Sequence, residues 1–224
     1  MQCPYRAVTS IALLLVGASL MNSATEESHA QTITSSQQGS HGGYFYSFWR
    51  NSTGSASMTL GSGGNYSCSW SNVGNFTAGK GWKPGSSSRR VGYNCGYWSC
   101  NGGGVFGLYG WTTNPLIEYY VNEKWGSSRP TGTNMGSLNS DGGSYTIYRT
   151  QRVNAPSIQG TKTFWQYFST RTGQNGSGNK VITFSNHVNA WASKGMTLGA
   201  HDYQILLSEG YNSSGGSNAT VWQQ

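Results

Sequence analysis

The sequence predicts an all-β fold of two packed antiparallel sheets, a sandwich or jelly roll, with one short helix. Three observations lead there. Charged residues make up only 9% of the 224-residue chain against 13% aromatic, and 33 glycines accompany them, a composition suited to many strands and tight turns. Short stretches of alternating apolar and polar residues recur along the chain. Between them stand GSGG, SDGG, GQNGSG and NSSGGS, which are turn chemistry. So much aromatic surface offsets chain entropy and excludes a disordered protein.

The elements follow in order. Arg6 precedes an apolar stretch, residues 10–21, too short to cross a bilayer comfortably. Ser28 and Ala30 then put small residues at both positions a signal peptidase reads, with Ala24 a weaker alternative. Residues 1–30 are therefore expected to be a cleaved signal peptide, and the protein to be secreted and extracellular. Cys3 lies before the apolar core, so it is not a lipoprotein-type anchor. Residues 31–43 are either flexible or add an edge strand. Candidate strands then run over 44–49, 55–59, 65–70, 104–111 and 115–121, and over 144–153, 161–171, 180–184, 197–209 and 218–224. Pro115 opens its strand and removes no interior ladder bond. Residues 185–195 break the pattern: Val188, Trp191 and Ala192 fall at i, i+3 and i+4, Ser185 or Asn186 can cap the start, and Gly195 can follow the end. No composition shift, linker or repeat divides 44–224, which is read as one domain.

Charge and cysteine usage exclude several functions. Losing the leader removes one cation, Arg6, and two anions, Glu26 and Glu27, so the formal net charge rises from +7 to +8. The remaining cations are scattered, with no run longer than two, and a nucleic-acid partner is not expected. Cys68, Cys95 and Cys100 remain. In an oxidising compartment Cys95 and Cys100 can close a short disulfide loop, leaving Cys68 a buried free thiol. Three thiols without a nearby histidine make a poor zinc site, and no metal is expected. No nucleophile elbow, metalloprotease helix or phosphate loop is present. His187 and His201 read as structural or solvated.

Chemistry is narrowed by the five carboxylates left: Glu118, Glu123, Asp141, Asp202 and Glu209. Asp141 lies in a turn it can cap. Glu123, at the end of its strand beside Lys124, reads as one half of a solvated pair. Asp202 precedes a strand, where it can salt-bridge or cap a turn. Glu118 and Glu209 differ, because each sits mid-strand among aliphatics and tyrosines. Alternation puts Glu118 on a face with Leu116 and Tyr120, and Glu209 on one with Tyr203 and Tyr211. Burying an ionised carboxylate unpaired is costly. An ion pair would account for either one alone; both together, beside aromatic rings, point to catalysis. Glycosidic cleavage needs one protonated carboxyl for the leaving oxygen and one ionised carboxylate for the developing oxocarbenium carbon. Repulsion and unequal burial would split the two pKa values, and tyrosine and tryptophan faces stack on sugar rings.

The stretches GYFYSFW, WSNVGNFTAGKGW, LYGWTTNPLIEYYV, DGGSYTIYRTQRVNAPSIQG, TFWQYFSTR, FSNHVNAWASKGMTLG and DYQILLSEGYNSSG, in this order and spacing, resemble the glycoside hydrolase family 11 endo-β-1,4-xylanases over about Tyr44 to Val221. The resemblance implies a β-jelly roll of two twisted antiparallel sheets with one helix, bent like a partly closed right hand around a xylan-binding cleft. It implies a retaining mechanism with Glu118 as nucleophile and Glu209 as acid/base, no cofactor, and a monomer with no membrane partner. It further implies substrate contacts for Trp49, Tyr109, Tyr120, Gln166 and Tyr203, and an Arg152 cation that helps keep Glu118 ionised. Pro156 and Ile158 fall at the tip of a thumb hairpin, 154–160. Asn75 matches a position beside the acid/base where acid-adapted members carry Asp, which implies a near-neutral optimum. The cysteine-bearing stretch GYNCGYWSCNGG departs from many members. The rival readings are a jelly-roll endoglucanase, against which the thumb argues, and a non-catalytic polysaccharide-binding protein, which would have no reason to keep both glutamates.

Overall fold

A computed structural model describes residues 30–224; the expected signal peptide, Ala30 apart, lies outside the described residues. Twelve strands and one helix follow in chain order: β1 (Gln31–Ile33), β2 (Gln37–His41), β3 (Tyr44–Arg50), β4 (Ser55–Leu60), β5 (Asn65–Trp82) and β6 (Arg90–Thr113). Next come β7 (Ile117–Trp125), β8 (Thr133–Ser140), β9 (Gly143–Ser157), β10 (Gly160–Arg171), β11 (Asn179–Thr183), α1 (Phe184–Ala192) and β12 (Ala200–Gln223). The segment 31–43 thus contributes two strands. β1 pairs with β4, and β2 with β3.

The predicted all-β jelly roll with one short helix is the architecture observed, and its two layers are continuous. The main path of hydrogen-bonded strands is β1-β4-β5-β12-β6-β7-β10-β9-β8, with β3 along β5 and β11 along β6. All pairings are antiparallel except β7 with β10. Strands β6 and β12 have 24 residues each. Straight, they would span about 80 Å at about 3.3 Å per residue, whereas a domain this size has a radius of gyration of about 16 Å. They must bend. Register shifts in β12 at Tyr211/Ser213 and Asn218/Ala219 absorb the turn. On β6, Gly102 has φ +112°, and a Cβ there would meet the Asn212 carbonyl oxygen at 2.4 Å. The Gly/Ser run NSSGGS, read as a turn, is therefore the bend of a strand.

Burial distinguishes the layers. Residues 65–70, 93–101 and 213–221 show the in-and-out pattern of sheet with one face in water. On the same three strands, 76–81, 104–112 and 203–210 are buried throughout. There one face meets the main core and the other the wall of a concave cleft. The main core gathers Tyr66, Phe76, Tyr93, Phe106, Tyr119, Tyr145 and Trp191 among others; a second cluster on the cleft side holds Val105, Tyr109, Trp111, Tyr120, Phe164, Tyr203, Ile205 and Leu207.

Helix α1 closes the main core. Its buried stripe is Phe184, His187 and Trp191, one turn earlier than predicted; Ala192 is exposed. The cap is Thr183, not Ser185 or Asn186. Thr183 itself is held by Asp141, which accepts from its backbone N–H at 2.8 Å and its hydroxyl at 2.7 Å. Gly195, just beyond the helix, has φ +72°. Trp191 donates its indole N–H to Ser169 Oγ at 3.0 Å. His187 is fully buried against the Tyr145 ring, and burial pushes its pKa down to about 4.

Two further expectations are corrected. Cys95 and Cys100 are free thiols, as is the buried Cys68. The stretch around them is uninterrupted β6, so five residues of extended chain separate the two by about 16 Å, far beyond the about 4.4–6.8 Å between Cα atoms that a disulfide spans. Glu123 is not a solvated partner of Lys124. It lies inside β7 on the core face and is fully buried. It accepts from the Tyr145 hydroxyl at 2.6 Å, Asn175 Nδ2 at 2.7 Å, the Tyr93 hydroxyl at 3.0 Å and Arg171 Nη1 at 3.3 Å. Lys124 makes no ion pair with it and instead bonds the Asn175 carbonyl.

Candidate active site

Alternation on three neighbouring strands builds the cleft. On β12, Tyr203, Ile205, Leu207 and Glu209 face it; on β6, Val105, Tyr109 and Trp111; on β7, Glu118 and Tyr120. The parallel pairing of β7 with β10 sets Gln166 directly beside Glu118. The tip joining β9 to β10 brings Pro156 and Ile158 over the same space. Gly160 there has φ +77°, and Ser157 Oγ donates to its carbonyl at 2.6 Å. All ten cleft residues singled out from the sequence, Trp49, Asn75, Tyr109, Glu118, Tyr120, Arg152, Pro156, Gln166, Tyr203 and Glu209, line this one groove. The disulfide pair does not belong to it.

The groove continues past Glu209. A second stretch, lined by Ser128, Arg129, Pro130, Thr131, Phe168 and Tyr211, shares Asn75, Tyr120, Arg152, Gln166 and Glu209 with the first. Glu209 therefore sits at the junction of two halves. Glu118 and the thumb tip belong to one of them. Arg129 is fixed by four donations, to the Arg171 and Thr170 carbonyls, the Tyr148 hydroxyl and Thr146 Oγ1.

The two carboxyls have unequal environments. Glu118, 7% exposed, accepts from the Tyr109 hydroxyl at 2.7 Å and the Tyr120 hydroxyl at 3.0 Å on Oε1, and from Gln166 Nε2 at 2.6 Å on Oε2. Burial raises its pKa, while these three donors and the Arg152 cation oppose the rise. Glu209, 8% exposed, has the Tyr120 hydroxyl nearby, which opposes the rise in its pKa. Burial first, and the Glu118 charge second, push its pKa up to about 8, with Arg152 opposing. The Tyr120 hydroxyl, which donates to Glu118, also neighbours Glu209, and both carboxyls line the same stretch of groove. Of the two, Glu209, with fewer groups opposing its burial, is the one pushed to hold its proton to higher pH.

The sequence reading passed over some of the wall. Trp111 donates its indole N–H to the Tyr109 hydroxyl oxygen at 2.7 Å. Ser47, Thr77, Gln38 and Phe164 complete the lining. For Trp111 a signal was available, since it follows Tyr109 by two and must share its face. The Asn75 Oδ1 is buried with no hydrogen-bond partner among the described residues. It is a free acceptor at the junction that Glu209 also lines. Among the described residues no group of three or more His, Cys, Asp or Glu is placed to hold a metal. No helix among them is long and apolar enough to cross a membrane.

Comparison with known proteins gives a consistent result. The sequence profile described as Glycosyl hydrolases family 11 matches residues 41–220. The endo-1,4-beta-xylanase Xyn11B of Cellvibrio japonicus is 52% identical over 203 residues, 87% of this chain and 56% of that protein. A bifunctional xylanase/xylan deacetylase of the same organism is 52% identical over 201 residues, 86% of this chain but 30% of its own length. The chain thus spans about half and about a third of these two relatives. An ethylene-inducing xylanase of Penicillium digitatum is 51% identical over 197 residues, covering 87% of this chain and 89% of that one.

Proposed function

The chain belongs to glycosyl hydrolase family 11, and from that premise we propose that it is a secreted, monomeric endo-xylanase cleaving internal β-1,4 bonds of xylan with retention. One observation carries the reading: Glu118 and Glu209 enter a single aromatic-lined groove beside the Tyr120 hydroxyl, and burial pushes the Glu209 pKa up to about 8 while three donors hold Glu118. The names of the relatives support the substrate.

The chemistry follows from the two environments. Glu118 attacks the anomeric carbon as the bond to the leaving oxygen breaks, and Glu209 gives that oxygen its proton. A covalent glycosyl-enzyme results, and the reducing-end fragment departs through the half of the groove beyond Glu209. Esterified Glu118 carries no charge, so one of the influences holding Glu209's pKa up vanishes. Glu209, now ionised, takes a proton from water as that water attacks the same carbon, and Glu118 leaves as a carboxylate. Two inversions restore the original configuration. Carboxyls about 5–5.5 Å apart suit this route, and wider pairs suit direct attack by water; a tyrosine hydroxyl that neighbours both carboxyls supports the former. Trp49, 36% exposed, offers a ring face to a sugar on the Glu118 side. Pro156 and Ile158 close over the groove, and their movement would gate binding and release.

The direct test is reducing-sugar release from xylan and carboxymethylcellulose side by side. Release from xylan alone is expected. Release from cellulose would favour an endoglucanase, and binding without release a polysaccharide-binding protein.

Working pH is set by the same pair. Activity requires Glu118 ionised and Glu209 protonated, so kcat/KM should fall as pH rises through about 8. Asn75, which adds no charge beside Glu209, supports a near-neutral optimum. Arg152 lowers the pKa of both carboxyls. Arg152→Gln should therefore move both limbs of the pH profile to higher pH. A profile unmoved at both ends would separate Arg152 from the ionisation of the pair.

A further inference from the structure

Trp111 stands behind Tyr109 in the cleft wall, and both side chains are 3% exposed. The rings meet edge-on at 85°, and Trp111 also packs on Phe164 with centroids 4.9 Å apart. Two short bonds run in series. The Trp111 indole N–H donates to the Tyr109 oxygen at 2.7 Å, and the Tyr109 hydroxyl donates to Glu118 Oε1 at 2.7 Å. An indole N–H can only donate. It occupies a lone pair of the tyrosine oxygen and leaves the single hydroxyl proton for Glu118. The hydroxyl has a competing neighbour in Tyr203, so its direction is not settled by Tyr109 alone. Bonds in series also polarise one another, and a hydroxyl that accepts from an N–H becomes a better donor.

We propose that Trp111 is a positioning residue that acts through Tyr109, directing and strengthening the hydrogen bond this hydroxyl gives to Glu118. The inference rests on Glu118 being the nucleophile. The bond matters most when Glu118 carries full charge: before attack, and again as the carboxylate leaves the covalent intermediate. During the life of the ester the carboxyl is neutral, and the chain of donors has less to stabilise. Trp111 thus favours the charged states at both ends of the cycle.

The test is a double-mutant cycle with Trp111→Phe and Tyr109→Phe. Trp111→Phe keeps an aromatic ring against Phe164 and removes the N–H. Alone it should lower kcat on an aryl β-xylobioside roughly two- to five-fold, the scale of a modest weakening in one charge-assisted bond. It should also move the acid limb of kcat/KM, set by Glu118, to higher pH. In the Tyr109→Phe background, where no hydroxyl remains to be directed, it should cost nothing further and leave the limb in place. An equal loss in both backgrounds would overturn the proposal, because a stacking contact with substrate or a packing role does not need Tyr109. Should Trp111→Phe fail to fold, the indole proton is observable by NMR in the unsubstituted protein and in Glu118→Gln. Losing the charged acceptor should shift that proton upfield, and an unmoved resonance would count against the relay. If the unsubstituted protein releases no sugar from xylan, the nucleophile reading fails first, independently of the cycle.

Discussion

Glu118→Gln should lower xylan hydrolysis by about 10⁴-fold or more, the scale on which a covalent nucleophile is missed. The amide has no negative charge to meet the anomeric carbon, and no choice of leaving group changes that. The variant should therefore be equally inert on xylan and on an aryl β-xylobioside with a nitrophenolate leaving group. Glu209→Gln should separate the two substrates. Xylan presents a poor leaving alkoxide and needs the proton, so turnover should collapse. Nitrophenolate departs without one, and the first step should persist. The product of that step is the covalent intermediate, which this variant cannot hydrolyse by activating water. A burst of nitrophenolate followed by a slow phase is the expected record, and mass spectrometry should find the sugar on Glu118. Activity on xylan surviving Glu118→Gln would refute the assignment; a burst in Glu118→Gln and none in Glu209→Gln would exchange the two roles. The same burial has a cost in stability. Glu209 has a folded pKa raised to about 8, above the usual carboxylate value of about 4.3. Its contribution is fully present below the unfolded pKa and is lost as pH rises through the folded one. Glu209→Gln should thus lose less stability than the parent between about pH 5 and 8.

The proposed catalytic pair was legible because the chain is so poor in acids. With only five carboxylates in residues 31–224, a mid-strand position among tyrosines was enough to mark Glu118 and Glu209. Period-2 alternation then placed Tyr120 and Tyr203 correctly on the cleft face. The long strands were not legible. NSSGGS carries the residues of a turn, yet all of it but Asn212 lies in register with β5, β6 or both, and that pairing overrides local preference. The Cys95–Cys100 stretch misled for the same reason, since it pairs along β12 as a strand rather than closing a loop. Sequence motifs located Tyr109 and Gln166 through family likeness, whereas physical reasoning alone could not. Gln166 meets Glu118 only because β7 and β10 run parallel, and that pairing joins positions 48 residues apart. Glu123 was misread because Lys124 follows it. Its partners, Tyr93, Tyr145, Arg171 and Asn175, come from β6, β9, β10 and the segment after β10, and no local pattern in the sequence brings those together.

Glu123 carries the largest expected effect on stability. Its carboxylate is 1% exposed and takes the Arg171 guanidinium, itself 14% exposed, at 3.3 Å, together with two tyrosine hydroxyls and the Asn175 amide. Burial, with the Glu123 charge added, pushes both tyrosines well above their ordinary pKa, so they stay protonated and donate to it. Glu123→Ala leaves four donors facing a void, one of them a cation without its counter-charge. Breaking such a buried pair from one side costs about 3–5 kcal/mol, which in a domain of this size lowers the midpoint of thermal unfolding by about 10 °C. Removing both charges is a different operation. Glu123→Leu combined with Arg171→Met relieves the uncompensated cation and should recover much of the loss. Activity provides the control. Glu118 lies five positions earlier on the opposite face of β7, and its three donors come from β6, β7 and β10 without touching this network. Well below its midpoint, Glu123→Ala should keep kcat/KM within a few-fold of the parent. A parent-like midpoint would mean that desolvating the carboxylate costs as much as its partners return. A normal midpoint with lost activity would place Glu123 in the chemistry, where no contact described above puts it.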